Sequence, residues 1–149
     1  MKVSSVLAVS AGVAVLALGL ARVSDATESQ PPKPHADHAA TNEACAVACS
    51  DCQRACDACT AHCVTMLAEG KKDHLASARL TQDCAAVCAT AASIVSRGGP
   101  MQHLICRACA DACAQCGKEC DKFDAPTMKK CAEACRRCEK ACREMIAHH

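Results

Sequence analysis

The sequence predicts an all-α protein: an antiparallel, up-down-up-down four-helix bundle with a cysteine-lined core. Three observations predict it. First, the 17 cysteines of this 149-residue chain recur at alternating steps of three and four, as in CAVACSDCQRACDACTAHC from Cys45 to Cys63. That spacing keeps a side chain on one stripe of an α-helix. Second, four such helical stretches are separated by turns of only a few residues, which makes sequential helices antiparallel neighbours. Third, there is one Phe, no Trp and no Tyr, and large aliphatics are few beyond residue 40. A helical domain of this length ordinarily fills its core with many more such side chains, so something other than aliphatic packing contributes here.

The chain opens with Met1-Lys2, an uncharged run from Val3 to Leu20, and then ARVSDA. This is the pattern of an export signal, with Ser24 and Ala26 meeting the small-residue rule before a cleavage point after Ala26. An uncleaved anchor is the alternative, because the apolar run is just long enough to span a bilayer. Cleavage would give residues 27–149 a formally neutral balance, with nothing else directing them to a membrane, and would place the protein in the periplasm. Residues 27–41, TESQPPKPHADHAAT, carry prolines and polar side chains without apolar periodicity. They read as a flexible tail bearing His35 and His38.

Residues 42–149 form the predicted bundle. Asn42 is expected to cap a first helix reaching about Glu69, where Gly70 closes it. Its stripe is Cys45, Cys49, Cys52, Cys56, Cys59 and Cys63, continuing to Met66. Asp73 is expected to cap a second helix that ends near Arg97 at Gly98-Gly99-Pro100. This helix has only Cys84 and Cys88, with Ser77 and Thr81 before them and Ala91 and Val95 after. The third helix, from about Met101 to Lys122, carries Cys106, Cys109, Cys113, Cys116 and Cys120, followed in phase by Phe123. The fourth opens at Asp124 with Pro126 in its first turn. It carries Cys131, Cys135, Cys138 and Cys142, flanked by Met128 and Met145. Charged residues occupy the other faces, so all four stripes face the core.

The function classes narrow quickly. A formal net charge of +1 with interspersed signs leaves no electrostatic footprint for nucleic acid or anionic lipid. Without aromatic platforms, base stacking is also excluded. Cysteine can pack as a small hydrophobe, but Leu or Ala would fold as well without the oxidation risk. Disulfide stapling suits an exported chain. An odd number of thiols leaves one over, and neighbours on one stripe project side by side. A disulfide-stapled structural or redox module therefore remains an alternative through cross-helix bridges only. A thioredoxin-like site would need one C-x-x-C beside a strand, and no strand pattern exists.

Metal binding accounts for more. Eight C-x-x-x-C pairs recur along the four helices, with Cys106 over. Residues i and i+4 lie about 6 Å apart at Cβ, close enough for two sulfurs to flank one small ion. Soft thiolates select Cu(I). Zinc takes a closed tetrahedron, and iron–sulfur clusters want loop spacings absent here. Charge separates them further. Each Cu(I) displaces one thiol proton and keeps the core neutral, whereas zinc on four thiolates buries two negative charges. No Lys or Arg stands on the stripes to offset them. Sequestration of a divalent soft metal, Zn(II) or Cd(II), stays as the second reading.

With CRACADACAQCGKEC (Cys106–Cys120) and CAEACRRCEKAC (Cys131–Cys142), the chain over residues 42–149 resembles the bacterial copper storage proteins, in their exported form. The resemblance implies a homotetramer of bundles that stores many Cu(I) ions instead of catalysing a reaction. It also implies that copper is admitted at one end. Some exported members look like twin-arginine substrates, whereas the charged leader here is only Met1-Lys2. Antiparallel topology gathers Met101, His103, Met145, His148 and His149 at one end, near His35 and His38. These weaker ligands make Met101, His103 and Met145 the expected entrance. The opposite end collects Met66, His74, Phe123 and Met128. His62 falls off the stripe and is expected at the surface.

Overall fold

The structure is a computed structural model that describes residues 34–147, with side chains from residue 38 onward. The signal-like segment 1–26, residues 27–33, His148 and His149 lie outside the described residues, as does the side chain of His35. Four helices follow one another: α1 (Pro34–Ala68), α2 (Leu75–Ser96), α3 (Gln102–Cys120) and α4 (Pro126–Ala147). No strand occurs among the described residues. Around the bundle, α1 packs on α2 and α4, and α3 packs on α2 and α4, while the diagonal pairs meet only through their side chains. Cys45, Cys49, Cys52 and Cys56 of α1 meet Cys106, Cys109, Cys113 and Cys116 of α3 in ascending order. They meet Cys142, Cys135 and Cys131 of α4 in descending order. These two orders are the signature of up-down-up-down topology.

The first helix starts earlier than the sequence suggested. It is 35 residues long and begins at Pro34, so residues 34–41 of the expected tail are helical. Proline suits a first helical turn, since it lacks only an N–H that would go unbonded there. Six of the next fourteen residues are alanine, the strongest helix former. Asn42 consequently lies inside the helix and caps nothing. Its side chain instead reaches toward the turn at Gly98, its Nδ2 falling 3.7 Å from where a Cβ there would stand.

Two glycines end helices as the sequence indicates. Gly70 has φ +85° and Gly98 φ +59°, a region in which a side chain clashes with the backbone. After α1, Gly70 N–H bonds Leu67 O at 3.0 Å and Lys71 N–H bonds Met66 O at 3.0 Å. After α2, Gly98 and Gly99 repeat the pattern onto Val95 and Ile94. Both are Schellman closures, which satisfy the last carbonyls of a helix.

Asp73 does not cap α2. Lys72–His74 forms a single 3-10 turn and α2 begins at Leu75, with no side-chain bond at its first position. The reason is His74, which is buried against Phe123 with ring centroids 4.3 Å apart. Anchoring that imidazole winds the preceding residues tightly and leaves Asp73 exposed. His62 is also not a surface residue. It is half-buried and edge-on to His74, at 5.7 Å and 81°.

Candidate metal-binding site

All 17 cysteines are buried, none more than 1 % exposed, and all are free thiols. Apart from them the core is mostly alanine, with Val95, Met128 and Met145 as its largest fully buried apolar side chains. The thiols point inward because each helix turns its three-four stripe to the common axis. α3 and α4 approach closely at Gly117, where an added Cβ would lie 3.3 Å from Cys135 Cβ. Any larger residue would hold the two stripes apart.

The sulfurs meet chiefly between helices. Along the axis, Cys45 lies 3.9 Å from both Cys106 and Cys142. Cys49 is 3.7 Å from Cys142 and 3.6 Å from Cys138. Cys52 is 3.7 Å from Cys113 and from Cys135, and Cys88 is 3.6 Å from Cys113. Cys56 is 3.7 Å from Cys131, and Cys59 is 3.9 Å from Cys120. Within a helix, Cys52–Cys56 and Cys84–Cys88 also stand at 3.9 Å. The i,i+4 pairs seen in the sequence are thus parts of larger groups to which neighbouring helices contribute.

Several of these groups place every sulfur within 4.8 Å of the others. Cys52, Cys88, Cys113 and Cys138 form one, with one member from each helix. Cys49, Cys109, Cys138 and Cys142 form another, and Cys56, Cys116, Cys131 and Cys135 a third. Cys52, Cys56 and Cys84 join Cys135 in a fourth. Cys52, Cys56, Cys135 and Cys138 each belong to two of these groups. Filling neighbouring groups requires thiolates that bridge two ions, and the bridged core stays neutral only when those ions are monovalent.

Most of the thiols whose proton affinity is shifted are pushed toward the protonated form. Burial pushes the Cys63 thiol up. The hydrogen bonds of Cys113 to Cys109, Cys135, Cys138 and Cys52, together with burial, raise it steeply, and Cys56 rises through Cys116, Cys131 and Cys135. Cys106 is lowered by Cys142, raised by Cys45 and by burial, and ends up at about 12. Some partners move the other way: hydrogen bonding with Cys113 and Cys135 lowers Cys52. Protons are therefore shared unevenly within groups. Burial opposes a thiolate throughout, and no Lys or Arg is buried among the described residues to stabilise one.

The second helix leaves gaps in this lining. Ser77 and Thr81 are fully buried on its stripe, where they act as clips. Thr60 Oγ1 and Thr81 Oγ1 stand 2.7 Å apart, joining α1 to α2, and Ser77 Oγ donates to Glu119 Oε1 at 3.3 Å. At the far end of α2 the stripe is Ala91 and Val95.

The expected entrance residues separate. Met145 is fully buried on the α4 stripe. Met101 is 54 % exposed and lines an outer groove of about 360 Å³ with Ile94, Leu104 and Ile105. His103 is half-buried near the start of α3. At the opposite end Met128 Sδ accepts from Cys59 Sγ at 3.2 Å and Cys63 Sγ at 3.7 Å. The sequence placed Met128 in phase with its stripe, three residues before Cys131, which is the signal for this contact. His62 Nε2 and His74 Nδ1 are unpartnered there; the topology had placed His74 at this end, but His62 carried no signal, because it reaches that end only through the packing of α1 on the 3-10 turn.

Comparison with known proteins agrees with this geometry. Residues 38–147 match the family model described as "Csp: Copper storage protein". The chain is 42 % identical over 84 residues to the uncharacterized cysteine-rich protein YhjQ of Bacillus subtilis (strain 168), covering 56 % of this chain and 75 % of that one. It resembles the structure of the Cu(I)-bound copper storage protein BsCsp3 with a TM-score of 0.64 and 39 % identity, over 71 % of this chain and 98 % of that one. It also resembles a cytosolic copper storage protein from Streptomyces lividans carrying five coppers, with a TM-score of 0.69 and 32 % identity, over 75 % and 97 % of the two chains. The chain described here belongs to the copper storage protein family.

Proposed function

We propose that this protein stores copper as Cu(I) on the thiolates of its core and carries out no reaction of its own. One observation carries the reading: all 17 thiols are free, buried and gathered along one axis in groups that share members. Each arriving Cu(I) replaces a proton, so the core fills without accumulating charge. Soft sulfur donors hold Cu(I) in preference to harder cations, and two similar proteins are described with copper bound. Competitive titration against a Cu(I) chelator tests the proposal. Saturation near one ion per thiol, about 17 per chain, supports it, and saturation near four supports tetrahedral divalent sites instead.

Export to the periplasm is supported by the pattern of residues 1–26, and no described helix is long and apolar enough to cross a membrane. A homotetramer is supported by the family resemblance. The entrance is placed at the Met145 end, with Met101 and His103 outside it as capture ligands. Replacing Met101, His103 and Met145 slows uptake without reducing capacity if so. The contacts of Met128 with Cys59 and Cys63 favour a second entrance at the other end. Uptake slowed by Met128→Ala and untouched by Met145→Ala would place it there.

A further inference from the structure

A cavity of about 310 Å³ opens on the side of the bundle between the early turns of α1 and the last turns of α4. Its wall is Ala40, Thr41, Ala44, Cys45, Ala141 and Glu144. Cys45 is therefore a member of the buried stripe that also borders a solvent-facing hollow. It is covered to 1 % exposure mainly because alanines close around it. Three of the five other wall residues, Ala40, Ala44 and Ala141, carry nothing beyond Cβ.

The sulfur group behind that wall is a small one. Cys45, Cys106 and Cys142 form a three-sulfur group, whereas the four groups described above have four sulfurs each. At this level α2 offers Ala91 and Val95 in place of thiols. Cys106 also has no cysteine four residues away on its own helix, in either direction. An ion here has fewer sulfurs to move among and a neighbouring space that another sulfur could enter.

We propose that this cavity is a side port where Cu(I) on the Cys45–Cys106–Cys142 group is exchanged with a low-molecular-weight thiol. The inference rests on the storage reading and adds the chemical class of the exchange partner. The incoming thiol bonds to copper through sulfur, one cysteine sulfur lets go, and that cysteine takes the proton the thiol gives up. Copper remains Cu(I) throughout, so no oxidant or reductant is required. A hollow of this volume accepts a small molecule and not a protein domain, which selects a free thiol over a protein-borne one.

Isotope exchange tests the port in the full-length, copper-saturated protein. Stored copper of one isotope is mixed with the other isotope supplied as its cysteamine complex, and exchange is followed by native mass spectrometry. Ala141→Leu, which fills the hollow without removing a ligand, should slow exchange about tenfold or more at unchanged capacity, as expected when a variant acts on release rates. Ala89→Leu, in the separate groove between α1 and α2, should exchange like the parent. A folded, fully loaded Ala141→Leu protein that exchanges at the parent rate overturns the proposal. Should that variant not fold, brief treatment of the metal-free parent with iodoacetamide decides. First labelling at Cys45 supports the port, and first labelling at any other cysteine contradicts it. Failure of the storage reading itself shows earlier and separately, as a low saturation capacity of the unaltered protein.

Discussion

Cys113 stands against Cys52, Cys84 and Cys88 at 3.7, 3.8 and 3.6 Å, while Cys63 has the thioether of Met128 at 3.7 Å beside it. A thiolate at the first position can bridge ions in several directions, and one at the second cannot. Cys113→Ser should therefore lower saturation by about two copper ions and Cys63→Ser by about one, read by native mass spectrometry. Proton affinity at these positions also governs the empty protein. Cys63 and Cys113 are raised above the ordinary thiol value of 9.0 by burial and neighbouring thiols. In the unfolded chain they ionise near that value, so the unfolded state loses protons first as pH rises. Stability from these thiols is fully present below pH 9.0 and is lost above it. Thermal unfolding of the metal-free protein should fall steeply on the alkaline side, while the copper-loaded protein, with those protons already gone, should not follow. An equal alkaline loss in both forms would count against the buried neutral thiols.

The helices were legible because each carries a stripe, and the stripe is periodic whatever its chemistry. Their closures were legible too, since Gly70 and Gly98 follow the last turns of α1 and α2. Gly70 has nothing within 4 Å of the position of a Cβ, so Gly70→Ala has only the left-handed backbone to contend with. It should cost about 1 kcal/mol and lower the melting temperature by a few degrees, with copper capacity unaltered. Gly117→Leu should cost more and also lower capacity, because the side chain would push α4 away from α3 beside Cys135. What escaped the sequence depends on tertiary contact. The start of α1 was obscured by prolines at 31, 32 and 34, of which only Pro34 is in the described helix. Asp73 looks like a cap until His74 is seen packed on Phe123.

At the scale of the whole molecule, the sequence showed which residues line the axis but not how they group. The i,i+4 pairs suggested that two sulfurs of one helix flank an ion. Packing four stripes together instead brings sulfurs of different helices within 4 Å of one another, as in the pair Cys49–Cys138 at 3.6 Å. Close approach makes disulfides the rival outcome in an oxidising compartment. Under anaerobic purification, a denatured metal-free chain should yield close to 17 reactive thiols, and a count well below that would favour the stapled module. The central claim concerns charge: copper fills this core because each ion takes the place of one proton. Counting protons released at constant pH during anaerobic Cu(I) titration tests it most directly. The account predicts close to one proton per ion, from the first addition to saturation. Release near zero would mean that copper binds without displacing protons, and would contradict it.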